Sequence, residues 1–321
     1  MQMTQIERDL LGMRDYPPVV SQIRTVWGFM RRWPVIPMAV LATLIFCGIF
    51  APLLATHDPY GGQDAGLRSR HIPPPWAPEG DWVGTGDPAQ EATRTGHYLG
   101  TDHTGRDVFS RMLFGARISL VVAAIALLSG FITGTTLGIV SGYSGGWIDE
   151  IITRIVDIWQ ALPFLMVALV CVLLFGQSTV LLLALMAALA WNPFVRVIRS
   201  QTLVVKNQPF VDLARVAGCS TIRILLRHIL PGVINTAVVI ATLSVGSLVL
   251  AEAALSFLGA GVPHPTPTWG SMVSEGRGYI ATAWWPTVIP GVAIFLLVMS
   301  LNFTGDWLRD RLDPRLRQLV D

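Results

Sequence analysis

Residues 207–231, NQPFVDLARVAGCSTIRILLRHILP, form a polar, helix-forming insert between long uncharged runs. Asn207 or Gln208 is placed to cap a short first helix, and Pro209 suits its first turn. Phe210, Leu213, Ala214 and Ala217 recur at i, i+3, i+4 and i+7, with Asp212 and Arg215 directed elsewhere. Gly218 stands where a left-handed C-terminal cap is expected. Ser220 is placed to cap a second helix with Ile222, Leu225 and Ile229 on one side and Arg223 and Arg227 on the other, and Leu230-Pro231 is expected to end it. A compact amphipathic element held between membrane spans suits docking against a soluble partner.

The surrounding composition sets the class. The chain of 321 residues is 52% hydrophobic and 14% charged, with a mean hydropathy of +0.54, which excludes an ordinary soluble globular protein. Runs long enough to cross about 30 Å of hydrocarbon, roughly 17–25 residues each, fall near 35–54, 118–140, 158–175, 180–197, 231–251 and 287–304. The expectation is an all-α polytopic membrane protein with six transmembrane helices. Its first span lies behind an arginine-bearing tail and reads as an uncleaved anchor.

The net charge of +2 hides an asymmetry. Five arginines precede the first span, six Lys/Arg lie within 196–227 and four arginines follow the last span, whereas 256–285 holds only Arg277. The positive-inside rule then predicts a multi-pass chain of the cell (inner or plasma) membrane with both termini and the 207–231 insert cytoplasmic. The predicted organisation is a cytoplasmic tail at 1–34, a first transmembrane helix at 35–55, and an extracytoplasmic segment at 56–116. A core follows at 117–306, containing the 207–231 loop, and a cytoplasmic tail closes the chain at 307–321. Trp27 and Trp33 read as interfacial residues of the first tail.

Within the outer segment, the Pro/Gly-rich 56–100 stretch, including HIPPPW, reads as extended and exposed. His57, His71, His97 and His103 lie between 56 and 117 with Asp58 and Asp102, at spacings that fit no known metal pattern, so no metal site is assigned. At 99–120, Thr104 and Asp107 have capping-box spacing. Val108, Phe109, Met112 and Leu113 form an apolar side, and Arg106, Arg111 and Arg117 lie outside it. That pattern predicts a helix on the membrane surface. Gly130, Gly134, Gly138 and Gly142 then recur every four residues, a helix-packing face for another helix of this chain or for a second subunit.

Asp149, Glu150, Arg154 and Asp157 open the third span, with Arg154 spaced to pair with Glu150 or Asp157. Glu252 is read at the end of the fifth span and Arg196 at the end of the fourth, leaving the spans almost without ionisable groups. That argues against an ion-driven carrier or channel and for an external energy source. Pro163, Pro193 and Pro290 are expected to interrupt spans. Residues 252–285 read as an outer segment, with Trp284 and Trp285 as interfacial anchors of the last span. Cys47, Cys171 and Cys219 read as free, apolar cysteines. Lys206 is the sole lysine, so no GxxxxGK[ST] loop exists. No enzyme signature appears, and no nucleic-acid partner is expected.

Several long strings carry a family resemblance: LGTDHTGRDVFSRMLFGARISL at 99–120, GYSGGWIDEIITRIVDIWQALP at 142–163, ALSFLGAGVPHPTPTWGSM at 254–272, EGRGYI at 275–280 with AWW at 283–285, and GDWLRDRLDPR at 305–315. Asp212-Leu213-Ala214, three residues, Gly218, nine residues, then His228-Ile229-Leu230-Pro231 is similar to the coupling-loop signature of ABC-importer permeases. It departs from that signature at Asp212, Leu213 and His228. The chain resembles the C-type subunit of the dipeptide/oligopeptide/nickel permease family, with the type I importer fold. The resemblance implies pairing with a second permease, two ABC ATPases and an extracytoplasmic substrate-binding protein in the lipid bilayer. It also implies that Phe210, Asp212, Leu213, Ala214, Arg215, Gly218, Ile229, Leu230 and Pro231 couple to an ATPase cleft. ATP and Mg would be bound by those partners, and this chain would carry no cofactor. Di- or oligopeptides are the expected cargo, with nickel chelates, glutathione or other small solutes as alternatives.

Overall fold

The structure, a computed structural model, describes residues 34–61, 69–77 and 96–312. The first tail with Trp27 and Trp33, residues 62–68 and 78–95 of the outer segment, and residues 313–321 lie outside the described residues.

The described chain is helical, and the one bridge within it pairs Thr101 with Asp107. In order, α1 is Val35–Ile49, α2 Ala51–Leu54, α3 Val108–Ser144, α4 Gly146–Ala161, α5 Phe164–Phe175 and α6 Thr179–Ala190. These are followed by α7 Asn192–Lys206, α8 Pro209–Val216, α9 Thr221–Ile224, a π-turn at Leu225–Ile229, α10 Leu230–Phe257, α11 Trp269–Gly276 and α12 Trp285–Leu312.

Among the described residues, four helical stretches are long and apolar enough to cross a membrane: Val108–Ser144, Thr179–Lys206, Thr221–Phe257 and Trp285–Arg311. Counting α4 and α5 as one bent span makes five. The expected first span is α1, whose 15 residues rise only about 22 Å. All six predicted segments are therefore helical, but length and composition alone support four or five crossings.

The prolines act differently from one another. Pro163 separates α4 from α5, whose axes differ by 82°, because its ring cannot continue a preceding helix. Pro193 sits in the first turn of α7, where its missing N–H costs nothing. Pro290, expected to interrupt a span, lies within α12 without ending it.

Helix α3 is central and contacts α1, α6, α7 and α10. Its outer-segment end differs from expectation. Instead of a separate surface helix before the span, Val108 begins one continuous helix of 37 residues. Asp107, not Thr104, is its cap, accepting the Ser110 N–H at 2.7 Å. The HIPPPW stretch is also folded in: Ile72, Pro73 and Pro74 are buried. Apolar proline rings pack as well as they loop, which a periodicity reading misses.

Three apolar clusters hold the bundle. Val122, Leu182, Met186 and Leu255 join α3, α6 and α10. Ala116, Val249, Trp269, Trp285 and Leu297 join α3, α10, α11 and α12. Ile198, Val211, Ile224, Ile229 and Val233 seat α8 and α9 against α7 and α10. Trp285, expected at the membrane interface, is fully buried and donates its indole N–H to the Thr101 carbonyl at 3.0 Å. Trp269 likewise donates to the Met112 carbonyl at 3.0 Å. A buried indole needs such an acceptor.

Candidate functional site

The 207–231 insert begins as predicted from its local chemistry. Gln208 occupies the cap position of α8 and Pro209 its first turn. Gly218 is left-handed, with φ +76°. The Cys219 N–H reaches the Ala214 carbonyl and the Gly218 N–H reaches the Arg215 carbonyl, both at 3.0 Å. These two bonds close the helix end, and they need a residue that adopts positive φ without strain.

The tertiary structure chooses which face of α8 is covered. Val211 and Ala214 are buried against α7, the π-turn and α10. Phe210 (47% exposed), Leu213 (68%) and Val216 (87%) face outward, and so does Ala217. Three of the four residues in the sequence-read stripe are thus solvent-facing. Asp212 and Arg215 pair beside them at 3.0 Å. The result is an apolar ridge flanked by charge on the exposed side of α8.

The second helix is corrected in two respects. Its buried side is Ile224 and Ile229 with Leu225 half-buried, whereas Ile222 is exposed. It also does not end at Leu230-Pro231, since the π-turn runs directly into α10. Pro231 has no N–H, and its ring would meet the carbonyl four residues back in a regular helix. The wider turn, with the Leu230 N–H bonded to the Leu225 carbonyl, accommodates it. The second helix of the insert is therefore continuous with a long span.

Its other attachment is α7, only two residues upstream. The faces of Gly130, Gly134, Gly138 and Gly142 lie against α7 and the residues just before it. A Cβ built at Gly134 would sit 2.3 Å from the Trp191 carbonyl oxygen, a separation no real contact allows. Lys206 Nζ donates to the Gly142 and Tyr143 carbonyls at 3.0 and 3.2 Å, closing the C-terminal end of α3. The Arg215 guanidinium lies over the Tyr143 ring, 5.7 Å from its centre.

Beside this joint, Arg199 grips Asp149 with two hydrogen bonds of 2.6 Å, and Arg196 pairs with Asp157 at 2.6 Å. Asp157, one of the partners expected for Arg154, is instead paired with Arg196 of α7, and the bidentate pair is the separate one between Arg199 and Asp149. Asp149, Glu150, Arg154, Asp157 and Arg199 line a charged cleft of about 290 Å³.

At the opposite end of α3, Arg111 is corrected from surface to core, at 1% exposure. It pairs with Asp102 at 3.2 Å and Glu275 at 3.1 Å, while Arg106 pairs with Asp102 at 2.7 Å and also with Glu275. Burial alone would raise the Asp102 carboxyl. The Arg111 and Arg106 guanidiniums, with hydrogen bonds from the Arg106 N–H and Thr104, outweigh it and hold the carboxyl below its ordinary range. Glu252, read as the end of a span, instead lies inside α10, fully buried, and accepts hydroxyls from Ser119 at 2.8 Å and Ser256 at 2.7 Å. Serine on α3 facing glutamate on α10 has no sequence signal, because 133 residues separate them.

Comparisons place these features. Residues 134–318 match the family model of the binding-protein-dependent transport system inner membrane component. The chain is 40% identical over 231 residues to a glutathione transport system permease protein of Pectobacterium atrosepticum, covering 72% of this chain and 77% of that protein. It is 36% identical over 283 residues to a dipeptide transport system permease protein of Alkalihalophilus pseudofirmus, covering 88% and 86%. The fold is similar to a chain of the MetNI methionine ABC transporter in an inward-facing conformation, with a TM-score of 0.51 and 19% identity over 62% of this chain and 94% of that one. This membrane-spanning chain belongs to the inner membrane component family of binding-protein-dependent transport systems, as an ABC transporter permease.

Proposed function

We propose that the protein is one of two permease subunits of an ATP-driven importer for di- or oligopeptides, coupled to its ATPases through α8. The exposed Phe210–Leu213–Val216 ridge carries the reading. In this arrangement a similar but distinct permease completes the translocation path. Two ATPase subunits sit beneath, and an extracytoplasmic protein delivers cargo. Both termini and the 207–231 insert face the ATPases, as the arginine distribution supports. Closure of an ATPase around nucleotide pushes on α8. The push passes to α10 through the unbroken π-turn and to α3 through α7, since these contacts are rigid rather than deformable.

The relatives' names point to small peptides or glutathione as cargo: glutathione permeases cover 72–92% of this chain and dipeptide or di/tripeptide permeases 85–88%. The deciding experiment is a mild-detergent pull-down with mass spectrometry of proteins and small molecules. A second permease, two ATPases and a binding protein holding mixed short peptides is the expected result. The same proteins with glutathione alone overturn the peptide; this chain recovered without ATPases overturns the coupling role.

A further inference from the structure

Two imidazoles and a carboxylate meet at the end of α3 farthest from α8, His57 from one stretch and His97 with Asp107 from another, ten residues apart. His57 follows α2, His97 precedes the outer turn, and Asp107 caps α3. The 37 residues of α3 put about 55 Å between that end and Lys206's grip on the other. His97 Nδ1 lies 2.9 Å from one Asp107 oxygen, and His57 Nδ1 lies 4.0 Å from the other. The two rings are 4.4 Å apart and inclined by 33°, so both Nδ1 atoms face one carboxylate. The three ligand atoms lie within 4.8 Å of one another.

We propose that His57, His97 and Asp107 form a site for a divalent transition-metal cation of the zinc class, which pins the segment after α2 to the start of α3. Two neutral imidazoles and one carboxylate suit zinc, nickel or cobalt, whereas magnesium and calcium demand oxygen. With ligand bonds of about 2.0–2.2 Å, tetrahedral closure needs a rearrangement of roughly an ångström. The support around the ligands is already in place. Asp107 is fixed by the Ser110 N–H at 2.7 Å, and the His57 backbone N–H donates to Ser110 Oγ at 3.0 Å. Such hydrogen bonds orient metal ligands.

Access is one-sided. His97 and Asp107 are buried, while the His57 side chain is a quarter exposed, which provides an entry path and room for a fourth, water ligand. His57 Nδ1 stands 4.0 Å from Asp107, too far for a hydrogen bond, and faces Thr56 Oγ1 at 3.0 Å. The contrast with Asp102, His103 and Glu275, which also approach one another, is instructive. There Arg106 and Arg111 already hold the carboxylates, and their charge opposes a cation.

The test uses the assembled transporter, stripped by chelator and titrated with Zn²⁺ and Co²⁺ without nucleotide. Wild type is expected to bind one equivalent more than His57→Ala, with affinity at that site at least about tenfold above the variant's. Co²⁺ should give the intense visible bands of a tetrahedral site, and Zn²⁺ should raise the melting temperature of wild type but not of His57→Ala. His103→Ala should bind as wild type does. Equal binding by wild type and His57→Ala overturns the site, and so does loss of binding in His103→Ala. His57 is the least buried ligand, so the result does not depend on whether His97 variants assemble.

Discussion

The glycine face of α3 yields a prediction whose magnitude can be worked out. In Gly134→Ala the new methyl would stand 2.3 Å from the Trp191 carbonyl oxygen and 2.6 Å from Phe194 Cβ. The first obstacle is backbone and cannot rotate away. Non-bonded contacts settle at about 3.5–4.0 Å between carbons, so α3 and α7 must separate by about an ångström. Gly130, Gly138 and Gly142 meet the same stretch at 2.6, 2.9 and 2.8 Å, so separation at one point loosens all four contacts. Overpacking of this kind costs about 1–3 kcal/mol. Alanine also gains roughly 0.5–1 kcal/mol over glycine by propensity, which would blur the result. Gly291→Ala provides the reference, because Gly291 is in α12 and a Cβ there meets nothing within 4 Å. Both variants carry the propensity gain, so their difference isolates the clash. The assay is the unfolding midpoint of the purified protein in lipid nanodiscs, together with the yield of assembled complex. Gly134→Ala should fall below Gly291→Ala by about 1–3 kcal/mol, and Gly134→Leu should barely assemble. Equal midpoints for the two alanine variants would refute the close α3–α7 contact.

Two further outcomes are expected. Gly218→Leu meets no side chain, so its cost is backbone strain alone, about 1–2 kcal/mol at φ +76°. The complex should still assemble, with uptake per ATP hydrolysed reduced and largely restored in Gly218→Asn; unaltered coupling in the leucine variant would remove α8 from the transmission path. Asp102→Asn leaves Arg106 and Arg111 underpaired and should destabilise the outer end of the bundle by about 3 kcal/mol. The Asp102 carboxyl is depressed when folded, so its contribution is complete above the ordinary value of 3.8 and is lost as pH falls through the lower folded value. Melting temperature should therefore drop more steeply below about pH 4 in wild type than in Asp102→Asn, and parallel curves would contradict the linkage.

Legibility followed the range of the interactions. The left-handed cap at Gly218, the proline entry of α8 and the four-residue glycine period are set within one or two helical turns. Each could therefore be read from neighbouring residues. Arg111 looked like a surface residue because its neighbours within a helical turn are apolar and its partners lie nine residues away or farther. Glu275 lies 164 residues away. The same applies to Glu252 with Ser119, and to Trp285 with the Thr101 carbonyl. The histidines escaped as a group because metal patterns are recognised by short spacing, whereas His57, His97 and Asp107 are joined only by folding.

The sequence by itself determined the membrane class, the helical segments, the capped polar insert at 207–231 and the family, because hydropathy, helix period and cap chemistry act over a few residues. Only the tertiary structure decided that the 99–120 segment continues into the span, that Pro231 is absorbed by a π-turn rather than ending a helix, and which side of α8 is left uncovered. An amphipathic period marks an apolar face without saying what covers it. On α8 the contacts of α7 and α10 took Val211 and Ala214, and left Phe210, Leu213 and Val216 exposed.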